Sequence, residues 1–257
     1  MQQAMSEVAD RLKTYLSSKI ISDILDSDEM FRSGVPGAIE HYFSVGRSAI
    51  NIIANAMVLT GRTRFETVLD LPCGGGRVTR HLTVFLPDAK LFVAELDKAK
   101  EAFVARVFGA TPIVVAPDFS NDPERRFDLV FVGSLLTHLD VAPFKRAVQW
   151  FIKAVADDGL LVLTTHGRRH DVAERKILRN VNPSKWAKVT QDCERSGFGY
   201  VETETKGSES YGISWSAPSW VLKQFENDPR VRIVTFQEAA WDNHQDVIIL
   251  QRRPIEQ

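Results

Sequence analysis

Residues 68–77 read Val-Leu-Asp-Leu-Pro-Cys-Gly-Gly-Gly-Arg, and they carry the strongest fold signal in the chain. An apolar run ends at Asp70, glycines follow at 74–76, and Arg77 begins a stretch of helical periodicity. Glycine adopts positive φ at little cost and lets a ligand approach the backbone. The free amides of the first helical turn then face whatever binds there. The segment therefore predicts a buried strand, a ligand-binding turn and a helix.

Short β-rich runs alternate with helical stretches on either side of this segment, which is typical of a parallel sheet built from βαβ units. Between residues 67 and 165 we predict strands 67–71, 90–95, 112–116, 127–133 and 159–165, with helices 76–86, 98–108 and 142–156. Beyond them we predict helix 170–195, irregular chain 197–214, helix 218–226, and a final pair of strands, 231–237 and 246–251. The last two strands are close enough to form an antiparallel hairpin. The predicted fold class is α/β, with a Rossmann-like, mostly parallel sheet that ends in this hairpin.

The N-terminal sixty residues predict a helical cap. One helix is indicated by an apolar stripe that recurs every four positions, at Val8, Leu12, Leu16, Ile20 and Ile24. After a glycine- and proline-rich break at 33–37, a second helix runs to about Thr60, and Gly61 ends it. Its predicted inward side chains are Ile39, Tyr42, Phe43, Ile50, Ile53 and Met57. We therefore divide the chain into a cap, 1–60, and a main domain, 61–257, with a cap insertion at about 167–228.

Composition excludes several classes of protein. The chain has 32 Lys and Arg against 33 Asp and Glu, whereas nucleic-acid binders usually carry a basic excess, so no nucleic-acid partner is expected. Cys73 and Cys193 are too few for a disulfide scaffold. Residues 1–16 have no apolar signal-peptide core, and apolar runs such as 247–250 are too short to cross a bilayer. We expect a cytoplasmic protein with no membrane partner.

The glycine turn differs from two common nucleotide-binding motifs. Thr79 stands where a dinucleotide fold has its third glycine, and the residues after Gly76 lack the Lys-Ser/Thr of a P-loop. Asp70 followed by Gly74 and Gly76 resembles instead the motif of class I S-adenosylmethionine-dependent methyltransferases. Pro72 stands where that family usually has its first glycine, a departure that a residue with negative φ tolerates.

The resemblance extends from about Tyr42 to Arg252 and includes fourth-strand and fifth-strand motifs at 127–138 and 158–162. Residues 134–140, 164–167 and 241–246 resemble, more narrowly, a bacterial subgroup known only as methyltransferase-domain proteins.

The resemblance also implies a set of cofactor contacts. Glu95 resembles the ribose-binding carboxylate, with Asp97 as the alternative, because a carboxylate can accept both ribose hydroxyls. Asp118 resembles the acid that contacts adenine. The residues implied to bind S-adenosylmethionine are Asp70, Pro72, Gly74, Gly76, Arg77, Glu95, Leu96, Asp118, Phe119, Ser134 and Tyr42.

Three histidines are predicted at the acceptor side of the site, because ligands bind beyond the carboxyl ends of parallel strands. His138 follows the fourth predicted strand, His166 ends the fifth, and His244 lies in the hairpin loop. A hydroxyl acceptor benefits from a base with a pKa near neutral. We take these three as candidate catalytic residues, with His166 preferred and His138 its rival; each could instead only order a turn. The other histidines, His41, His81 and His170, are expected on helix surfaces.

No metal is predicted. Cation-dependent O-methyltransferases use acids after the fourth and fifth strands, where this chain has Ser134 and His166. His166, His170 and Asp171 could ligate an ion, but they are more typical of a solvated helix start.

The resemblance implies an S-adenosylmethionine-dependent methyltransferase that releases S-adenosylhomocysteine. The acceptor is expected to be a small molecule or glycan-like compound, methylated on oxygen with a histidine base. Methylation of nitrogen or a carboxylate, and an inactive cofactor-binding interaction module, remain alternatives. Residues 197–228, rich in glycine and serine and then in aromatics, predict a mobile cap over the acceptor pocket. The oligomeric state is left open.

Overall fold

Nine strands and eight α-helices occur in residues 2–178, 180–203 and 211–254, which are the residues that the computed structural model describes. The strands are β1 (Thr67–Asp70), β2 (Lys90–Val93), β3 (Thr111–Pro112), β4 (Phe127–Val132), β5 (Val155–Thr165), β6 (Phe198–Glu202), β7 (Gly212–Ser216), β8 (Val231–Trp241) and β9 (Gln245–Arg252). The helices are α1 (Gln2–Ser17), α2 (Ala38–Thr60), α3 (Thr79–Phe85), α4 (Lys98–Phe108), α5 (Val141–Ala154), α6 (Arg168–Ala173), α7 (Pro183–Ser196) and α8 (Pro218–Lys223). A 3₁₀ turn covers Leu136–His138 and a π turn covers Glu174–Leu178.

Seven of the strands form one sheet in the order β3-β2-β1-β4-β5-β9-β8. The first five are parallel, whereas β9 runs antiparallel to both β5 and β8. This topology confirms the predicted Rossmann-like, mostly parallel sheet with a final antiparallel hairpin. Strand order reverses between β1 and β4, and in such sheets the crevice beyond the strand ends at this reversal is where ligands bind.

Helices cover both faces of the sheet because its inner strands are apolar on both sides. Val68, Leu129 and Val162 face a core that also contains side chains of α1 to α4. Leu69, Val130 and Leu161 face a second core, formed with α5 and α8. The two N-terminal helices therefore share a hydrophobic core with the sheet.

The first helix is shorter than the apolar stripe predicted. It ends at Ser17, Leu16 is 69% exposed, and Ile20 and Ile24 lie beyond the helix. A tertiary hydrogen bond explains the early end: the buried guanidinium of Arg80 donates to the carbonyl oxygen of Ile21 at 3.0 Å. The Ile21 carbonyl is thus bound outside a helix, and this tertiary contact outweighs the helical periodicity of the apolar stripe.

The second helix has the predicted bounds, and Gly61 follows it at φ 73°. Its 23 residues are long and apolar enough, by length and composition only, to cross a membrane, and half of the most apolar window is buried in the fold. Gly46 brings it against α3, since a Cβ there would lie 2.3 Å from the backbone oxygen of Arg77. Ile39, predicted inward, is 48% exposed, so that assignment was wrong.

The predicted strand 112–116 is reduced to Thr111–Pro112. The side chain of Asn121 accounts for the difference. Its oxygen accepts from the amide of Ala116 at 2.8 Å, and its nitrogen donates to the carbonyl of Val114 at 3.1 Å. These backbone groups therefore bind a side chain instead of a neighbouring strand.

The single helix predicted over 170–195 is interrupted. Residues 168–178 form α6 and the π turn, and α7 starts anew at Pro183. Asn182 caps α7 by accepting from the amide of Ser184 at 3.0 Å, and proline suits the first helical turn because it lacks an amide proton. The chain consequently bends at Val181, shortly before α7.

Part of the segment predicted as irregular, 197–214, is ordered into strands. β6 and β7 pair antiparallel in a two-stranded sheet separate from the main one. With α7 they surround a third core, which contains Trp186, Ile213 and Trp215. The insertion is therefore a small folded layer, and its mobility remains a prediction.

His81, expected on a surface, is buried and accepts a hydrogen bond from the Tyr15 hydroxyl or donates one to it, at 2.6 Å. Burial, with the nearby charge of Arg80, lowers its pKa from 6.5 to about 4. The unfolded chain thus takes up a proton that the folded protein excludes. The stability from this group is complete above pH 6.5 and decreases as the pH falls towards 4, by at most about 3 kcal/mol.

We expect His81→Phe to remove this part of the pH dependence, although the variant also loses the Tyr15 contact. The measurement is the free energy of unfolding in urea at pH values between 6.5 and about 4. His41→Ala, a change at an exposed histidine, should keep the slope of the unchanged protein. An equal slope in His81→Phe would contradict the interpretation.

Candidate functional site

The glycine turn is fixed at its base by a buried carboxylate. Asp70 ends β1 and accepts a hydrogen bond from the hydroxyl of Thr79, the first residue of α3, at 2.6 Å. Burial, opposed by this hydrogen bond, raises the pKa of Asp70 to about 7. The contact joins the two ends of the turn, which contains the cis peptide Leu71–Pro72. Asp70 thus supports the turn from below.

Glu95 lies on the open side of the same turn. One carboxylate oxygen accepts from the amide of Gly74 at 2.9 Å, and the other accepts from the amide of Leu96 at 2.7 Å. Gly74 has φ 50°, and a Cβ built there meets no atom of the described residues within 4 Å. Leu96 is 67% exposed. Glu95, Gly74 and Leu96 therefore border an open space in front of the turn, as a cofactor-binding role requires.

Asp118 and Phe119 lie after β3. The carboxylate of Asp118 is exposed and accepts from the amide of Ser120 at 3.1 Å, and the hydrogen bonds from Ser120 lower its pKa. The ring of Phe119 packs edge-on against Trp150 and Phe151. Asp118 is free to contact a ligand, whereas the Phe119 ring is partly engaged with α5.

Tyr42 supports the turn from behind. Its ring is buried, and its hydroxyl donates to Asp28 at 2.6 Å. A Cβ on Gly75 would lie 2.2 Å from this Asp28 carboxylate, so the N-terminal segment packs directly on the turn. The guanidinium of Arg77 lies over the rings of Tyr42 and Trp241, at 5.9 and 6.0 Å. Sequence reasoning missed Asp28, because a single acid in a loop gives no signal.

A small hydrogen-bond network fixes the ends of β4, β5 and β9. The amide of Ser134, which has φ 60°, donates to the hydroxyl of Thr164 at 2.8 Å. Gln245 accepts from Thr164 at 2.7 Å and donates to the Ser134 hydroxyl at 3.0 Å. Ser134 is thereby held at the strand edge. Thr164 and Gln245 were not predicted, since their pairing depends on the register of β5 and β9.

His138 follows β4, and a contact with the cap insertion defines its tautomer. Its Nδ1 lies 2.8 Å from the carbonyl oxygen of Gly212. Because a carbonyl only accepts, Nδ1 carries the proton and Nε2 carries the lone pair. That lone pair faces the Tyr211 hydroxyl at 3.1 Å, and the two rings stack with centroids 4.3 Å apart. His138 is half-buried, and burial lowers its pKa.

His166 lies deeper, at the end of β5. It is 5% exposed, and its Nδ1 donates to the carbonyl oxygen of Ser214 at 3.1 Å. Its ring stacks on His170 with centroids 3.5 Å apart, and Nδ1 of His170 lies 3.0 Å from Nε2 of His244. His170 is buried, so its predicted surface position was wrong. Burial lowers the pKa of all three histidines, that of His170 to about 3.

The cap insertion lies at the same edge of the sheet as the glycine turn. The Ser214 hydroxyl donates to the carbonyl oxygen of Leu136, and the Ser216 amide donates to that of His166 at 2.9 Å. β4 and β5 run parallel to β1, so their carboxyl ends meet where β1 leads into the turn. The structure therefore brings the glycine turn, Glu95 and the histidines to one edge, with β7 across it.

Several solved structures have this fold. The sugar N-methyltransferase KedS8 from Streptoalloteichus sp. ATCC 53650 is 18% identical, with a TM-score of 0.57, and the match covers 93% of this chain and 98% of that one. The N-methyltransferase NodS from Bradyrhizobium japonicum WM9, solved with S-adenosylhomocysteine, is 12% identical, with a TM-score of 0.52 and coverages of 96% and 99%. An O-methyltransferase family protein from Burkholderia thailandensis is 13% identical, with a TM-score of 0.53 and coverages of 99% and 71%.

The sequence itself matches a family model. Residues 8–204, more than half of the chain, match the model described as a methyltransferase domain. No curated protein matches the sequence significantly. One of the structures that share the fold, NodS, holds S-adenosylhomocysteine, the product of an S-adenosylmethionine-dependent transfer. The chain belongs to the methyltransferase-domain family.

Proposed function

We propose that this enzyme methylates a hydroxyl oxygen of a small-molecule or sugar-like acceptor and that a histidine accepts the hydroxyl proton. The observation that carries the proposal is the lone pair of His138 Nε2, which faces a hydroxyl, that of Tyr211, at 3.1 Å. An acceptor hydroxyl that takes the place of the Tyr211 hydroxyl donates to the same nitrogen. This arrangement is what a general base needs: a neutral ring, a fixed tautomer and a donor within hydrogen-bond reach.

The residues around the glycine turn suit the cofactor. Glu95 can accept hydrogen bonds from ribose hydroxyls, and exposed Leu96 offers an apolar surface to the adenine ring. Arg77, whose guanidinium lies over two rings, can pair with the carboxylate of the methionine part. When bound, S-adenosylmethionine supplies an activated methyl group for in-line transfer to the acceptor oxygen. The chain's own contribution is then to hold both partners and to remove one proton.

His138 and His166 differ in how easily an acceptor can reach them. His166 is 5% exposed, and its Nε2 points among other histidines, so an acceptor reaches it only after the cap moves. His138 is half-buried and its proton-accepting atom meets a side chain that is 40% exposed, Tyr211. We therefore favour His138 as the base, and His166, preferred on sequence grounds, becomes the second candidate. His244 is the third.

Transfer to an amine nitrogen is the second candidate function. Two of the similar structures are N-methyltransferases by description, one of them acting on a sugar, although their low identity carries only the fold. The balanced charge of the chain and the aromatic cap fit a small acceptor in either case. Paired acceptor libraries test the choice, each pair being one sugar scaffold with a hydroxyl or an amine. Formation of S-adenosylhomocysteine only with amines would overturn O-methylation.

The role of Glu95 is tested by cofactor affinity. We expect Glu95→Ala to bind S-adenosylmethionine at least about tenfold more weakly, because a hydrogen bond to a charged group contributes about 1.5–3 kcal/mol. Isothermal titration calorimetry gives the dissociation constant directly. Asp97→Ala is the matched comparison, since Asp97 caps α4 through the amide of Ala99. Normal affinity in Glu95→Ala with weakened binding in Asp97→Ala would assign the ribose to Asp97.

The role of the histidines is tested by turnover with an identified acceptor. We expect His138→Ala to lose about 10²–10⁴-fold in kcat, which is the usual contribution of a general base, while cofactor affinity stays within twofold (~0.4 kcal/mol) of the unchanged protein. His166→Ala is the comparison. If His138→Ala keeps full turnover and His166→Ala loses it, His166 is the base. If both keep it and His244→Ala keeps it too, no histidine base acts and the proposal fails.

A further inference from the structure

Three histidines from three separate elements converge beside the acceptor side of the site. His166 follows β5, His170 lies in α6, and His244 lies between β8 and β9. One nitrogen from each lies within 4.8 Å of the other two. Such a meeting of imidazoles depends on long-range folding, since His244 is 74 residues from His170.

Hydrogen bonding leaves lone pairs of this cluster unused. His166 donates from Nδ1 to the carbonyl of Ser214, so its Nε2 carries a lone pair. Nδ1 of His170 and Nε2 of His244 share one hydrogen bond at 3.0 Å, in which one ring donates and the other accepts. The other ring nitrogen of His170 is buried and has no hydrogen-bond partner among the described residues. A hydrogen bond joins only two of the three rings, whereas a metal ion would bind one nitrogen of all three at once.

We propose that His166, His170 and His244 bind one divalent transition-metal ion such as Zn²⁺. Three imidazoles are a common ligand set for zinc and its neighbours, whereas Mg²⁺ and Ca²⁺ prefer oxygen ligands. Zinc–nitrogen bonds of about 2.0–2.1 Å place tetrahedral ligand atoms about 3.4 Å apart. Ion binding would have to close the present spread of up to 4.8 Å to this distance and to tilt the parallel rings of His166 and His170, so that their in-plane lone pairs converge.

The surroundings fit such a site. The Ser214 carbonyl fixes the His166 tautomer, a usual outer-shell role in metal sites. Asp171 is engaged elsewhere, since it accepts from Trp186 at 2.9 Å and from Arg175 at 2.7 Å. The sequence-based prediction of no metal weighed Asp171 with His166 and His170 and did not include His244.

The proposed ion has a structural consequence and a chemical one. It would tie α6, the start of the cap insertion, to β5 and to the β8–β9 hairpin. Three protein ligands also leave a fourth position open for water or for an acceptor oxygen. With Nε2 of His166 on the metal, the proposed base His138, whose Nε2 contacts the Tyr211 hydroxyl, lies outside the metal site. The site itself is independent of which acceptor the enzyme uses.

The test measures metal binding without any methyl transfer. Full-length, tag-free protein, stripped with a chelator, is titrated with Zn²⁺ against a chromophoric competitor. We expect one Zn²⁺ per chain, a raised melting temperature on binding and no shift with Mg²⁺. His170→Phe keeps the ring stack but removes both nitrogens, and we expect it to weaken Zn²⁺ binding at least about 100-fold, more than loss of an outer-shell partner does.

Two further variants make the result decisive. His244→Gln should weaken Zn²⁺ binding to a similar extent, and it serves if His170→Phe does not fold. His41→Ala, at an exposed histidine, should bind Zn²⁺ as the unchanged protein does. The proposal would be overturned if the unchanged protein did not bind one Zn²⁺ per chain, or if the variants at positions 170 and 244 bound Zn²⁺ as tightly as the unchanged protein does. Since no acceptor is present, these outcomes are separate from failure of the proposed methyl transfer.

Discussion

The hydrogen bond between Asp70 and Thr79 is the contact on which the site geometry depends. A buried carboxyl group, here 2% exposed, costs free energy unless it is paired, and its partner is the first residue of the following helix. The contact closes the turn between them, in which the amide of Gly74 lies 2.9 Å from the Glu95 carboxylate. On the other side, Asp28 closes against Gly75. One buried pair thus positions both the open face and the covered face of the turn.

The cap contributes by its backbone as much as by its side chains. Carbonyl oxygens of β7 accept from Nδ1 of His138 and of His166, so a two-stranded sheet separate from the main sheet defines which nitrogen of each ring is basic. If the cap shifts, both tautomers lose their restraint at once. The position of the cap insertion and the tautomers of these two histidines are therefore coupled.

The sequence predicted the elements whose cause is local and missed those whose cause is distant. The β1–turn–α3 unit and the helix ended by Gly61 follow from patterns within a few residues, and both were right. The short first helix, the truncated β3 and the strands of the cap depend on Arg80, on Asn121 and on pairing across residues 203–211. Histidine positions at strand ends were predictable, because parallel strands end at one edge. Their mutual contacts were not, since register and helix direction set them.

The burial of the histidines bears on how chemistry is divided at this edge. A base must exchange a proton with its acceptor, so it needs access and a lone pair that no other group holds. A ligand or structural ring needs the opposite, a dry position with its orientation fixed by neighbours. His138, half-buried against an exposed tyrosine that an acceptor can displace, fits the first of the two roles that we propose; His166 and His170, stacked and buried, fit the second. The proposed roles of these histidines thus follow the depth of each ring.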